Sequence, residues 1–161
     1  MTSQFVIKVA TEEDRESIHQ LLTTLARWMK DHQINQWSFL LEGEDGELKE
    51  WIANGQTYIV EKEGQFIATF TLLTEAGEWD RHLWGEDLPI NTAYLHRLAI
   101  TPAYMNQGIG NRIIDWVQTL DLDWLRLDCV ADNPKLNQFY QGNGFQFMGI
   151  TDDQCKYQKR I

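Results

Sequence analysis

The stretch TAYLHRLAITPAYMNQGIG, Thr92 to Gly110, decides how this chain folds. Thr92 to Ile100 is rich in aliphatic, aromatic and β-branched residues and reads as a strand. Pro102 ends it, because proline has no amide hydrogen for a sheet ladder. The seven residues Thr101 to Gln107 then lead into a helix from Gly108 to Leu120, with Ile109, Ile113, Ile114, Val117 and Leu120 on its inner side. Trp124 to Val130 is the next strand. Strand, helix and strand in this order form a crossover, which predicts that Thr92–Ile100 and Trp124–Val130 run parallel.

The rest of the chain fits around this unit. Phe5 to Val9 reads as a short strand, and Thr11 opens a helix whose first turn holds Glu12, Glu13 and Asp14, acids that satisfy free amides and oppose the dipole. Ile18, Leu21, Leu22, Leu25, Trp28 and Met29 give that helix one apolar stripe, ending near Lys30. Asp31 to Gly46 is irregular, and a second helix covers Glu47 to Ala53. Gln56–Glu61 and Gln65–Leu73 are strands joined by a turn at Lys62-Glu63-Gly64. Thr74 to Asn91 reads as a long loop without structure of its own, a kind of segment that often faces a substrate. After Val130 come a short helix over Asn133–Gln141 and two strands, Phe145–Ile150 and Gln154–Arg160.

With 161 residues, 43% hydrophobic and 24% charged, the chain predicts one domain spanning 1–161. Its 14 basic against 24 acidic residues give a formal net charge of −10, which excludes nucleic-acid backbones and anionic membranes as partners and favours a cationic one. The apolar runs are strand-length, short of the roughly 20 residues of a membrane span, and no basic targeting segment precedes the first strand. Cys129 and Cys155 show no paired spacing and are expected to be reduced thiols of a cytoplasmic protein. No metal is expected, because His19, His32, His82 and His96 are far apart in sequence and the cysteines lack ligand spacing.

Gln107-Gly108-Ile109-Gly110-Asn111 stands where backbone amides at a helix start can converge on a phosphate. A dinucleotide site would need a third glycine where the chain has Ile113, and a Walker loop would need Gly-Lys-Ser/Thr. The ligand is therefore expected to be some other pyrophosphate. Leu95-His96-Arg97-Leu98-Ala99-Ile100-Thr101-Pro102, then Tyr104 and Gln107-Gly108-Ile109-Gly110, together with Asn133, Tyr140, Gly144 and Phe145, resemble the two signature motifs of the GCN5-related N-acetyltransferase (GNAT) family. The order of elements agrees from Phe5 to Arg160.

The resemblance implies an α/β fold of the α+β type: a mixed, mostly antiparallel sheet of six to seven strands flanked by helices, with splayed parallel central strands. It implies acetyl-CoA as cosubstrate, with Leu98, Ala99 and Ile100 pairing the pantetheine like an added strand. Amides of Asn106, Gln107, Gly108, Ile109, Gly110 and Asn111 would hold the pyrophosphate, and Asn133 would meet the cofactor arm. The family's loop often opens with Arg or Gln where this chain has Met105, so Arg112 or Lys135 is expected to supply charge.

Acetyl transfer needs a neutral amine and a proton for the departing thiolate. An ammonium has a pKa of about 10, so a base is needed, and an acid helps the thiolate leave. By position in the motifs, Tyr140 is the expected acid, also touching the cofactor, and His96 the expected base. Glu78, Trp79, Trp84 and Glu86 are expected to meet the acceptor, with Glu78, Glu86 and Asp87 as competing bases. The expected activity is acetylation of a primary amine on a small cationic molecule by direct attack. Acetylation of protein N-termini or lysines, acyl-CoA sensing without turnover, or dinucleotide binding stay open as alternatives, as does a homodimer.

Overall fold

The computed structural model describes residues 4–34, 36–41, 45–86 and 88–161, the Ser38 side chain excepted. Seven strands, β1 (Phe5–Val9), β2 (Thr57–Lys62), β3 (Gln65–Leu73), β4 (Thr92–Ile100), β5 (Trp124–Val130), β6 (Gln146–Thr151) and β7 (Gln154–Arg160), form one sheet in the order β1-β2-β3-β4-β5-β7-β6. β4 and β5 are parallel neighbours and the other adjacent pairs are antiparallel. The helices are α1 (Arg15–Asp31), α2 (Gly46–Ala53), α3 (Glu78–Trp84), α4 (Ile109–Val117) and α5 (Pro134–Gly142). None of the described helices is long and apolar enough to cross a membrane.

Each face of the sheet has its own core. Ile113, Ile114 and Val117 of α4 pack with Tyr140 of α5 over Ala93, Leu95, Leu125 and Leu127. On the other face Ile18, Leu22 and Ala26 of α1 and Leu48 and Ile52 of α2 cover Ile59 and Ala99. Full burial of each such aliphatic side chain contributes about 1.5–3 kcal/mol. These are the stripes that the apolar spacing announced, except that Trp28 is 53% exposed, at the edge of the helix face, and stacks on His32.

Two local readings change. The entry to α1 is a 3-10 turn at Glu12–Asp14, where the Asp14 carboxylate accepts the Thr11 amide at 2.9 Å. The stretch from Thr74 to Asn91 is not structureless, because it contains α3. The Asp80 carboxylate accepts the Gly77 amide at 3.0 Å at the helix start, Leu83 is buried beneath it, and Gly85 ends it in a left-handed conformation at φ 74°.

The parallel ladder between β4 and β5 runs from Thr92↔Trp124 to Leu95↔Leu127 and stops. Beyond it His96 to Ile100 stay paired to β3, and Asp128 to Val130 stay paired to β7. The two strands thus part while each keeps its outer neighbour. A bulge accompanies the parting: β3 steps from Thr69 to Thr71 while β4 steps from Ala99 to His96, so Arg97 and Leu98 oppose Phe70 alone. Such an extra residue bends its strand and raises its twist. Arg97 adopts φ 52°, a costly value for a residue with a Cβ. Its guanidinium compensates by donating to Asp45 at 2.6 Å and Glu47 at 2.8 Å, and by stacking 4.7 Å from the Trp51 ring centroid. The Arg97 and Asp45 side chains are only 6% and 7% exposed, so this pair is little screened, whereas Glu47 is solvated.

Removing one member of a buried pair strands the other charge. Arg97→Ala is expected to lower unfolding free energy by about 3–5 kcal/mol in urea denaturation, and Asp45→Ala by a similar amount; a loss below about 1 kcal/mol in both would show that the bulge does not depend on this pair.

Candidate active site

The parting of β4 and β5 opens onto an apolar groove of about 550 Å³. Leu98, Ala99 and Ile100 line it from β4, Leu136 and Phe139 from α5, and Trp28, Met29 and Trp37 from the opposite side. Its far end is the turn before α4. Asn106 (φ 63°) and Gly108 (φ 78°) are both left-handed, which curls the chain so that the opening amides of α4 stand unpaired. Amides so placed, at the positive end of a helix, suit a phosphate without any cationic side chain. Gly110 is needed for space, because a Cβ there would lie 2.9 Å from the Phe139 ring.

Where the strands begin to part, beyond the residues that line the groove, a polar cluster sits. His96 is the first β4 residue without a β5 partner, and Asp128 is its counterpart on β5. The Asp80 carboxylate, brought in by α3, meets His96 Nε2 with Oδ1 at 2.9 Å and Oδ2 at 3.2 Å. The Trp79 indole donates to Asp128 Oδ2 at 3.2 Å. Ligand-capable atoms of Asp80, His96 and Asp128 all lie within 4.8 Å of one another, the one set of described residues with metal-like spacing. Nε2, however, already faces the Asp80 carboxylate as a proton donor. Burial disfavours the His96 imidazolium, but the hydrogen bond and charge of Asp80, with the charges of Asp128 and Glu47, outweigh it and raise its pKa above 6.5. Burial also raises the Asp128 carboxyl, against the opposing pull of His96 and the Trp79 hydrogen bond.

Tyr140 is 5% exposed, on α5, with its ring set edge-on against Phe139 and Phe145 and tilted against Tyr157. Burial pushes its phenol far up, with the charges of Cys129 and Asp128 adding to the effect, so the hydroxyl keeps its proton at any working pH. Burial likewise pushes the Cys129 thiol up to about 12, which leaves it inert as a nucleophile.

The structure brings together Leu98, Ala99, Ile100, Asn106, Gly108, Ile109, Gly110, Asn111 and Asn133 as walls of one groove; Tyr140 and His96 are not among its lining residues. Gln107 turns away, its side chain donating to the Ala103 carbonyl at 3.1 Å. Asn133 Oδ1 caps α5 by accepting the Leu136 amide at 3.2 Å, leaving its NH₂ as the group that can meet a ligand. Of the α3 residues, Trp79 reaches the cluster through Asp128, whereas Trp84 lies under the Arg126 guanidinium, 4.1 Å from its ring centroid. Glu78 and Glu86 are exposed near the two ends of α3, and Asp87 lies outside the described residues. Arg112 is not in the groove; it stacks 3.7 Å over the Phe5 ring on another surface. Sequence reasoning passed over Asp80, Asp128 and Trp51 as site residues. Asp128 had a signal, the one carboxylate in a strand whose only other charged residue is Arg126; Asp80 had only its capping distance from Gly77.

Comparison with known proteins bears on the fold. The model of the acetyltransferase (GNAT) domain matches residues 53–147. The uncharacterized N-acetyltransferase YesJ of Bacillus subtilis is 41% identical over 145 residues, covering 87% of this chain and 81% of that protein. The crystal structure of a GNAT-family acetyltransferase from Listeria monocytogenes superposes with a TM-score of 0.82 at 32% identity, covering 100% and 99% of the two chains. The fold also matches a Thermoplasma acidophilum PaiA N-acetyltransferase solved with coenzyme A, with a TM-score of 0.65 at 15% identity over 98% and 99% of the chains.

The Gly110 contact gives a test of the groove. Gly110→Ala drives a methyl into the Phe139 ring, and overpacking of this kind costs about 1–3 kcal/mol. Calorimetry is expected to show weaker acetyl-CoA binding by that variant, and Gly110→Ala combined with Phe139→Leu should recover much of the loss.

Proposed function

The chain belongs to the GNAT acetyltransferase family, and from that premise we propose that it moves an acetyl group from acetyl-CoA to the primary amine of a small cationic molecule. The observation that carries this reading is the parting of β4 from β5, with His96 and Asp128 where it begins and an apolar groove with a glycine turn further along β4. The free backbone edge of Leu98 to Ile100 suits the amides of a pantetheine arm, which would add as a short strand. The turn from Asn106 to Asn111 suits the pyrophosphate, and Asn133 the arm between them. The left-handed residues and the space reserved at Gly110 fit such a ligand.

The reaction follows from the groups at the parting. The acceptor arrives as an ammonium, which the Asp128 carboxylate, held by Trp79 through one oxygen, attracts with the other. The ammonium first sheds one proton to water; the neutral amine then forms its bond to the acetyl carbon as the carbon–sulfur bond breaks, and the second nitrogen proton passes to the cluster at His96, which returns it to solvent. Tyr140 gives its proton to the departing thiolate, whose own pKa is about 8.5, and regains one from solvent as the products leave. The phenol is the weaker acid, so this transfer helps only as negative charge gathers on sulfur. Two carboxylates with one imidazole between them favour a cationic acceptor over an acidic one.

Acetyl-CoA is expected to bind in calorimetry, and thiol release should follow on a panel of primary amines. Tyr140→Phe should lower kcat by about 10²-fold or more, the range for a positioned acid, with acetyl-CoA affinity kept. Asp128→Asn should raise the amine KM at least about tenfold, in keeping with the ~1.5–3 kcal/mol of a hydrogen bond to a charged group. Full turnover by Tyr140→Phe would remove the assigned acid. Binding of acetyl-CoA with no turnover on any amine would favour a sensor instead.

A further inference from the structure

His96 can serve as a base only if one ring nitrogen is unprotonated and open, and nothing in its own strand decides which one. The nearest described side chain that does is Asp80. Both of its oxygens approach Nε2, at 2.9 and 3.2 Å. Oδ2 is further held by the Gly77 amide at 3.0 Å, and the residue is 2% exposed. A carboxylate with this many bonds and so little solvent can neither rotate nor reach a substrate. The ring plane is held from the other side by Trp51, whose ring stacks on the imidazole at 5.6 Å between centroids. Nδ1 has no hydrogen-bond partner among the described residues and is not among the buried, unsatisfied atoms. It is therefore open.

We propose that Asp80 is the positioning residue of this acetyl transfer: by taking the hydrogen bond of Nε2–H it fixes His96 in the tautomer whose Nδ1 accepts the proton of the attacking amine. The role rests on the acetyltransferase reading above. In the step, the neutral amine loses a proton to Nδ1 as nitrogen bonds to the acetyl carbon, the carbon–sulfur bond breaks, and the thiolate leaves with the proton of Tyr140. The resulting imidazolium is held between Asp80 and Asp128 until it gives its proton to solvent. Asp80 keeps no proton and makes no contact with either substrate. An anchored carboxylate of this kind does two things for an imidazole, setting its tautomer and stabilising its charged form.

The groups that face His96 set the sign of the pH effect. Asp80 approaches from α3, Asp128 from β5 and Glu47 from α2, all negative, and burial opposes them; the balance raises the pKa. The acid limb of kcat/KM, which reports the free enzyme, should therefore lie above the 6.5 of an ordinary imidazole. Asp80→Asn is the informative variant, because an asparagine can still accept the Gly77 amide at the helix start. It cannot supply charge, and its NH₂ turned toward Nε2 favours the opposite tautomer. Asp80→Asn is expected to lower kcat by about 10²-fold, shift the acid limb to lower pH, and leave acetyl-CoA affinity and the amine KM within about threefold of native.

Nitrogen NMR of the His96 ring gives a readout free of turnover: native protein should show the Nε2–H tautomer titrating above 6.5, and Asp80→Asn should lose the tautomer preference and titrate lower. Asp80→Glu, which restores the charge, should recover part of the kcat and return the limb toward native. The proposal is overturned if His96 titrates alike in native and Asp80→Asn proteins, or if Asp80→Asn melts earlier yet keeps native kcat and acid limb, the mark of a helix cap and nothing more. Failure of the parent reading looks different, with native protein acetylating no amine, and it takes the inferred role down with it.

Discussion

The site depends on one buried ion pair, Arg97 with Asp45. β4 has to leave β5 after Leu95 while remaining zipped to β3, and the extra residue that allows this sits in a backbone conformation that side chains disfavour. The guanidinium offsets that strain by tying the bulge to the first turn of α2. The same tie brings Trp51 down beside the strand, where its ring lies against both Arg97 and His96. The parting of the strands and the orientation of the imidazole therefore share a cause, although the residues responsible are some fifty positions apart in the chain.

Much of the fold was legible because it follows from local rules. β3, β4, β5 and β7 have the bounds their apolar runs announce, and the parallel pair follows from the crossover. α3 was not legible. Seven residues between two glycines give too few turns for a periodic stripe, and five of them are charged or tryptophan. What makes the helix is contact made after folding, with Leu83 buried and Asp80 engaged by a histidine on another strand. The glycine turn was legible for the opposite reason, since its residue types are dictated by backbone shape. The Asp80–His96–Asp128 cluster joins α3, β4 and β5, and no spacing along the chain encodes such a meeting.

The surplus of acid takes on a specific meaning in this arrangement. The turn before α4 contains no carboxylate, and its attraction for an anion comes from amides alone. Carboxylates gather instead where the strands begin to part, around His96. A net charge of −10 is thus compatible with one anionic and one cationic ligand in the same cleft, because each place presents its own field.

The contact of Gly110 with Phe139 has a consequence for size. α4 follows β4 in the chain and α5 follows β5, so the two helices ride on the two strands that separate, and they touch where one residue has no side chain. Phe139 is at once the neighbour of Gly110 and a wall of the groove. A methyl group at Gly110 would not fit against the ring, so the spacing of the two helices at this point is set by the thickness of a benzene ring. Homologous chains with a different ring or a different small residue at these two positions would have grooves of another width, and the pair works as a gauge by which that width can be compared across such proteins.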